Sequence, residues 1–205
     1  MLTAEELASL PVFPLPGLVF FPGSLLPLHI FEPRYRAMAA FCIEHEHPLA
    51  VGMIQAGQEH LQPGDPDVVA LMGAGRIARA QELPDGRYNV VVAGLTRVRL
   101  GEELPLHEGF RRFSASAVED LDERPAAARQ ALNTIQACVG GLATRQPAAA
   151  RALSEVLERG LPPGPTSDCL AAVLFGDPEE RQGLLVEADV SARLEHIAGR
   201  LVELL

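Results

Sequence analysis

The sequence predicts an α+β protein in which a β-rich region, bent into a small barrel, precedes a helical bundle. Short apolar or alternating runs with turn signals between them fill roughly the first 120 residues. The period then turns helical near the acidic stretch Glu119–Glu123 and Pro125. Beyond it, Ala128, Leu132, Ile135, Val139 and Leu142 step by 4, 3, 4, 3, as do Val190, Leu194, Ile197, Leu201 and Leu204. The expected regions are 1–120, β-rich with one helix, and 121–205, a helical bundle.

Pro11–Leu15 and Leu25–Ile30 are apolar runs set between prolines, with Pro22-Gly23 as an intervening turn. Proline cannot donate to a sheet ladder, so both strands are expected at edges or strong bends. Glu32-Pro33 reads as a helix start, because a first-position Pro lacks only an N–H that the helix leaves unused. Tyr35, Met38, Phe41 and Cys42 follow at helical spacing, and Pro48 ends the run. Leu49–Gln55 and Val68–Leu83 read as strands, with Gly73 and Gly75 marking a bend or bulge in the second. Leu83-Pro84-Asp85-Gly86 is a turn that leads into Tyr88–Ala93 and makes a hairpin. Thr96–Leu100 alternates, which puts Val98 and Leu100 inward and both Arg97 and Arg99 outward; Phe113–Val118 alternates again. In the helical half, Asp177-Pro178-Glu179-Glu180 has the pattern of a capped start. Pro162–Pro165 is expected to force a loop before Ser167 or Asp168 opens another helix, for four or five helices in all.

Composition removes several chemistries. All 17 basic side chains are Arg, so the chain holds no Lys for a P-loop, a Schiff base or a Ser–Lys dyad. The net charge of −10 disfavours general binding to nucleic acid or anionic membrane. Cys42, Cys138 and Cys169 are isolated and suit a reducing compartment. Met1–Leu10 carries two Glu and no basic residue, unlike a signal peptide, and Leu15–Ile30 is too short and proline-broken to span a bilayer. A cytoplasmic location is expected, and oligomeric state is left open.

Chemical motifs are weak. Gly73-Ala74-Gly75-Arg76-Ile77-Ala78 fits a dinucleotide fingerprint, but a Pro-Asp-Gly turn arrives where the helix should be. A glycine-kinked strand is the favoured reading. Cys42 and His45 share a helix face near His47 and His60, yet no complete ligand set is visible, so no metal or other cofactor is expected. His29 reads as a core or rim histidine. No nucleophile elbow or activated Cys stands out, and no catalytic residue is assigned. The unusual segment is Phe20-Phe21-Pro22-Gly23, where adjacent Phe side chains at a turn are expected to leave an apolar patch exposed. Phe20, Phe21, Pro22 and the following Leu25 are the candidate polypeptide-binding residues.

Longer stretches carry a resemblance. Leu10-Pro11-Val12-Phe13-Pro14-Leu15-Pro16, Val19-Phe20-Phe21-Pro22-Gly23 and Leu26-Pro27-Leu28-His29-Ile30-Phe31-Glu32-Pro33-Arg34-Tyr35 resemble the start of the Lon protease N-terminal domain. The hairpin through Leu83-Pro84-Asp85-Gly86-Arg87-Tyr88 and the run Arg181-Gln182-Gly183-Leu184-Leu185-Val186-Glu187 extend the likeness over nearly the whole chain. The resemblance implies a PUA-like β pseudo-barrel followed by a helical bundle. It also implies recognition of unfolded or tagged polypeptide, with ATP hydrolysis and Ser–Lys proteolysis lying downstream in full-length members. The chain is therefore expected to be a stand-alone, non-enzymatic recognition module, an adaptor or regulator of proteolysis, with exposed apolar polypeptide or a protease as partner. The alternatives are a small hydrolase or ligand-binding enzyme with a pocket between barrel and bundle, and an RNA-binding PUA-like module, which the acidic balance disfavours.

Overall fold

The computed structural model describes residues 1–55, 57, 58 and 66–205. They form two compact units, Met1–Val118 and Glu119–Leu205. The first runs α1 (Ala4–Ala8), β1 (Leu10–Leu15), β2 (Leu25–Ile30), α2 (Pro33–Glu44), β3 (Leu49–Met53), β4 (Leu71–Glu82), β5 (Tyr88–His107) and β6 (Phe110–Val118). Its sheet has the order β2-β5-β4-β3-β1-β6, and β5 also pairs with β6. That extra pairing closes β1, β3, β4, β5 and β6 into a ring, the pseudo-barrel, and leaves β2 attached outside it along the first half of β5.

Period-two alternation divides the apolar residues between two cores. Leu10 and Val12 of β1, Ala50 of β3, Met72 and Ala74 of β4, Val98 of β5 and Phe113 of β6 fill the ring. Their strand neighbours Phe13, Leu49 and Val51, with Val90 and Val92 of β5, face the other way and pack under Tyr35, Met38 and Cys42 of α2. Each large apolar side chain so buried contributes about 1.5–3 kcal/mol. Pro33 is the first residue of α2, as the sequence predicts.

Several elements depart from the sequence reading. β1 is not an edge: Val12–Leu15 pair with β3 in parallel, while Leu10 and Pro11 pair with β6. The two pairings are staggered along the strand, so each stretch is bonded to one neighbour and its prolines are tolerated. Tyr88–Ala93 and Thr96–Leu100 belong to one strand, because Leu95 is an extra residue at a bulge rather than a break. Arg97 is buried at 3 % exposure, not outward as expected; only Arg99 of the pair is exposed. The short helix α1 was not read from the sequence, although Thr3 and Glu6 form a reciprocal capping box.

The second unit contains α3 (Pro125–Leu142), α4 (Pro147–Leu157), α5 (Pro163–Leu174), α6 (Pro178–Val186) and α7 (Val190–Glu203). Proline sits in the first turn of α3 to α6, where the missing N–H has no intrahelical partner to lose. The same rule corrects the reading of Pro162–Pro165. Pro163 and Pro165 lie in the first turn of α5, and Ser167 and Asp168 are buried within it. Ala128, Ile135, Val139 and Leu142 of α3 face Val190, Leu194, Ile197 and Leu201 of α7 in the buried interior, while Leu132 and Leu204 are half-buried. Among the described residues, no helix is long and apolar enough to cross a membrane.

Candidate functional site

Phe20 and Phe21 are 2 % and 0 % exposed, which reverses the expectation that they form a surface patch. Strand glycines make the burial possible. A Cβ on Gly73 would overlap the Phe20 carbonyl oxygen, and one on Gly94 would overlap that of Phe21. With no Cβ at either position, the connecting segment lies directly against β4 and β5 and sends both rings inward, Phe20 into the core beneath α2. Pro22 is half-buried and Leu25 is exposed. Of the four candidates, the two aromatic rings are therefore structural, and exposed apolar surface begins at Leu25.

That surface continues along the outer face of β2. Leu26, Leu28 and Ile30 turn toward the core, so Leu25, Pro27 and His29 turn outward, with Phe31 beside them. Leu25 is 69 % exposed and Phe31 60 %, high values for large apolar side chains. The His29 and Phe31 rings stack at a centroid distance of 6.3 Å, which keeps both on one side. Across the sheet, Leu25 stands opposite Ala93, Pro27 opposite Val91 and His29 opposite Asn89. Val91 and Asn89 in turn stand opposite Arg79 and Gln81 of β4. The rows Pro27–Val91–Arg79 and His29–Asn89–Gln81 border a hollow of about 660 Å³ on the sheet face. Among the described residues β2 pairs with β5 alone, which leaves its other edge unpaired there, with Pro27 in mid-strand.

A polar chain borders the far end of the hollow. His29 Nδ1 lies 2.7 Å from Asn89 Oδ1, and Arg87 Nη1 lies 3.2 Å from His29 Nε2. A tautomer with the proton on Nδ1 satisfies both contacts. Arg87 also donates from Nε to Asp85 at 2.6 Å. The Arg87 backbone N–H and then its guanidinium hold the Asp85 carboxyl below its ordinary value. The turn that carries this chain is tight, with Gly86 at φ +76° and its N–H donating to the Leu83 carbonyl at 2.8 Å.

The remaining motifs resolve into structure. Gly73 to Ala78 lies wholly within β4, which continues to Glu82 with no helix to hold a pyrophosphate. Cys42 and His47 border a second hollow of about 340 Å³ between α2 and β4. Burial pushes the Cys42 thiol up to about 12, which keeps it protonated and non-nucleophilic at neutral pH. His45 Nδ1 engages the Phe41 carbonyl oxygen at 3.0 Å. His60, the other candidate ligand, lies outside the described residues. Among the described residues no group of three or more His, Cys, Asp or Glu is arranged to hold a metal ion.

Comparison with known proteins places this architecture. The model of the ATP-dependent protease La (LON) substrate-binding domain matches residues 9–203. The chain is 28 % identical over 187 residues to Lon protease 2 of Myxococcus xanthus, covering 91 % of this chain and 22 % of that protein. It is 25 % identical over 200 residues to the Lon protease of Escherichia coli K12, covering 94 % of this chain and 24 % of that one. It thus spans about a quarter or less of the curated relatives' length. Among solved structures, a Lon N-terminal domain protein from Xanthomonas campestris superposes with a TM-score of 0.63 at 26 % identity, covering 93 % of this chain and 97 % of the other. The N-terminal domain of a Mycobacterium avium complex Lon protease shares the fold, with a TM-score of 0.73 at 17 % identity and coverage of 96 % and 100 %. The family match runs through the strands of the first unit and the helices of the second, and by it the chain belongs to the ATP-dependent protease La (LON) substrate-binding domain family.

Proposed function

We propose that this chain is a non-enzymatic polypeptide-recognition module, an adaptor or regulator of proteolysis, that engages exposed apolar segments on the outer face of β2. The observation that carries the reading is the exposed surface from Leu25 through Pro27 to Phe31, flanked by Val91 and Ala93, which meets a 660 Å³ hollow at Pro27, His29 and Val91. Clustered apolar groups of this kind on a protein surface mark an interaction site. The family supports recognition of polypeptide substrates. An extended segment fits a sheet face with one free edge, where main-chain hydrogen bonds supply affinity and alternate side chains reach the hollow.

Isothermal titration against a reduced, alkylated polypeptide that cannot refold tests the proposal. The wild type gives saturable binding. Leu25→Ser and Phe31→Ser, both at exposed positions that leave the core intact, each weaken it about five- to tenfold, the scale of one lost apolar contact. Absence of binding by the wild type sinks the reading, and so does binding that neither substitution changes.

A further inference from the structure

The same hollow holds a cation whose placement depends on a backbone irregularity. Up to Ile77, β4 is in register with β5 so that Ile77 stands opposite Val92. Continued regularly, this register would set residue 79 opposite Val90, whose side chain is in the core at 3 % exposure. Instead Ala78 is an extra residue, and beyond it Arg79 stands opposite Val91 while Ala80 takes the place opposite Val90. A bulge of this kind re-aims the side chains that follow it. Here it turns Arg79 away from the core and onto the face shared by Pro27 and Val91. Arg79 lies two strand spacings from Pro27, about 10 Å in the plane of the sheet.

The electrostatic setting of Arg79 suits an anionic group. The chain carries 27 acidic residues against 17 Arg. Yet among the described residues bordering the hollow none is a carboxylate, and Arg79 forms no ion pair with any described residue. Other arginines of this unit are engaged: Arg76 with Glu6 at 2.6 Å, Arg87 with Asp85, and Arg111 with Glu103 at 2.6 Å. Arg79 is thus a cation with no ion pair among the described residues, standing beside exposed apolar surface.

We infer that Arg79 selects among polypeptides, favouring apolar segments that also carry an acidic side chain, whose carboxylate pairs with its guanidinium while neighbouring apolar residues rest on Pro27 and Val91. The inference rests on the polypeptide-binding reading above and adds the chemical class of the segment bound. An internal Asp or Glu is the carboxylate that fits, because the hollow is part of an open sheet face along which a chain continues in both directions. The guanidinium fork suits a carboxylate by two parallel hydrogen bonds.

Fluorescence polarisation with three labelled peptides tests this. Two share one extended apolar sequence and differ only in a central Glu or Gln, both amidated at the C-terminus. The third is the Gln peptide with a free C-terminus, read against its amidated form. The wild type binds the Glu peptide about three- to tenfold more tightly than the Gln peptide, the range for a partly exposed ion pair. Arg79→Gln abolishes that ratio and retains the wild-type thermal unfolding curve. Equal affinities for the Glu and Gln peptides in the wild type overturn the inference while leaving the broader reading standing. A preference that persists in Arg79→Gln, or one that follows the free C-terminus, also overturns it. Failure of every peptide to bind removes both.

Discussion

Arg193 illustrates how much organisation one side chain can impose. Its side chain is fully buried. Nη2 donates to Asp120 at 2.9 Å, Nε to the Ser167 hydroxyl at 2.9 Å, and Nη1 to the Glu187 carbonyl at 2.8 Å, with Asp168 at 3.7 Å. One guanidinium thus ties α5, α7 and the segments preceding α3 and α7. Asp168 is only 2 % exposed, so removal of the cation leaves a carboxylate in a poor solvent. Arg193→Met is expected to destabilise the chain by about 3–5 kcal/mol in urea unfolding, the range for breaking a buried pair from one side. Adding Asp168→Leu recovers part of that loss, because the stranded charge is then gone. A loss below about 1 kcal/mol would show that the network adds little beyond packing. At the same scale, the burial of Phe20 and Phe21 shifts the candidate site from aromatic rings at a turn to the exposed face beginning at Leu25.

At the scale of elements, strand glycines and helix caps do most of the positioning. Gly94 lets the Phe21 carbonyl sit where a side chain would otherwise be. The obstacle is backbone, which cannot swing aside as a flexible side chain can. Gly94→Ala therefore displaces the segment that buries Phe20 and Phe21, and a loss of about 1–3 kcal/mol is expected from overpacking. Unchanged stability in denaturant titration would mean that the segment relaxes freely. The start of α7 depends on Asp189, whose carboxylate accepts the Ser191 and Ala192 N–H groups and pairs with Arg124 at 3.0 Å. The hydrogen bond from Arg124, with the two backbone donors, holds its carboxyl below the ordinary value of 3.8 despite some desolvation. A lowered folded value means that stability is present above the unfolded value and is lost as pH falls through the folded one. Stability should thus decline below about pH 4. Asp189→Asn, which still caps but carries no charge, should decline less steeply over that range; identical pH profiles would exclude a role for this carboxylate in the acid response.

For the whole molecule, closure of the ring sets where interaction is possible. Joining β5 to β6 pairs strands that would otherwise end the sheet and leaves β2 with a free edge. Pro27 interrupts the donors along that edge, which limits indiscriminate strand pairing while permitting a short extended segment to dock. The overall charge of −10 opposes acidic partners at a distance. The residues lining the hollow around Arg79 include no carboxylate, so short-range pairing can discriminate where the screened long-range field does not. The family match spans both units, residues 9–203.

The linear order of residues was enough to determine the class of each half, the α2 start at Pro33, the Pro-Asp-Gly hairpin and the apolar stripes of α3 and α7. It also excluded Lys-dependent chemistry from this chain. These features are local: they follow from period, caps and turn residues within about a dozen positions. The tertiary structure alone decided that β1 is paired on both sides, that Arg97 is buried, and that Phe20 and Phe21 are core. It also decided that Arg79 shares a face with Pro27, through a single extra residue at Ala78. Each of these depends on groups far apart in the chain, such as Gly73 with Phe20 or Gly94 with Phe21, and on register that one inserted residue inverts. Local pattern carries no record of such meetings, because the same Phe-Phe turn is exposed or buried according to whether a distant strand offers a glycine to lie against.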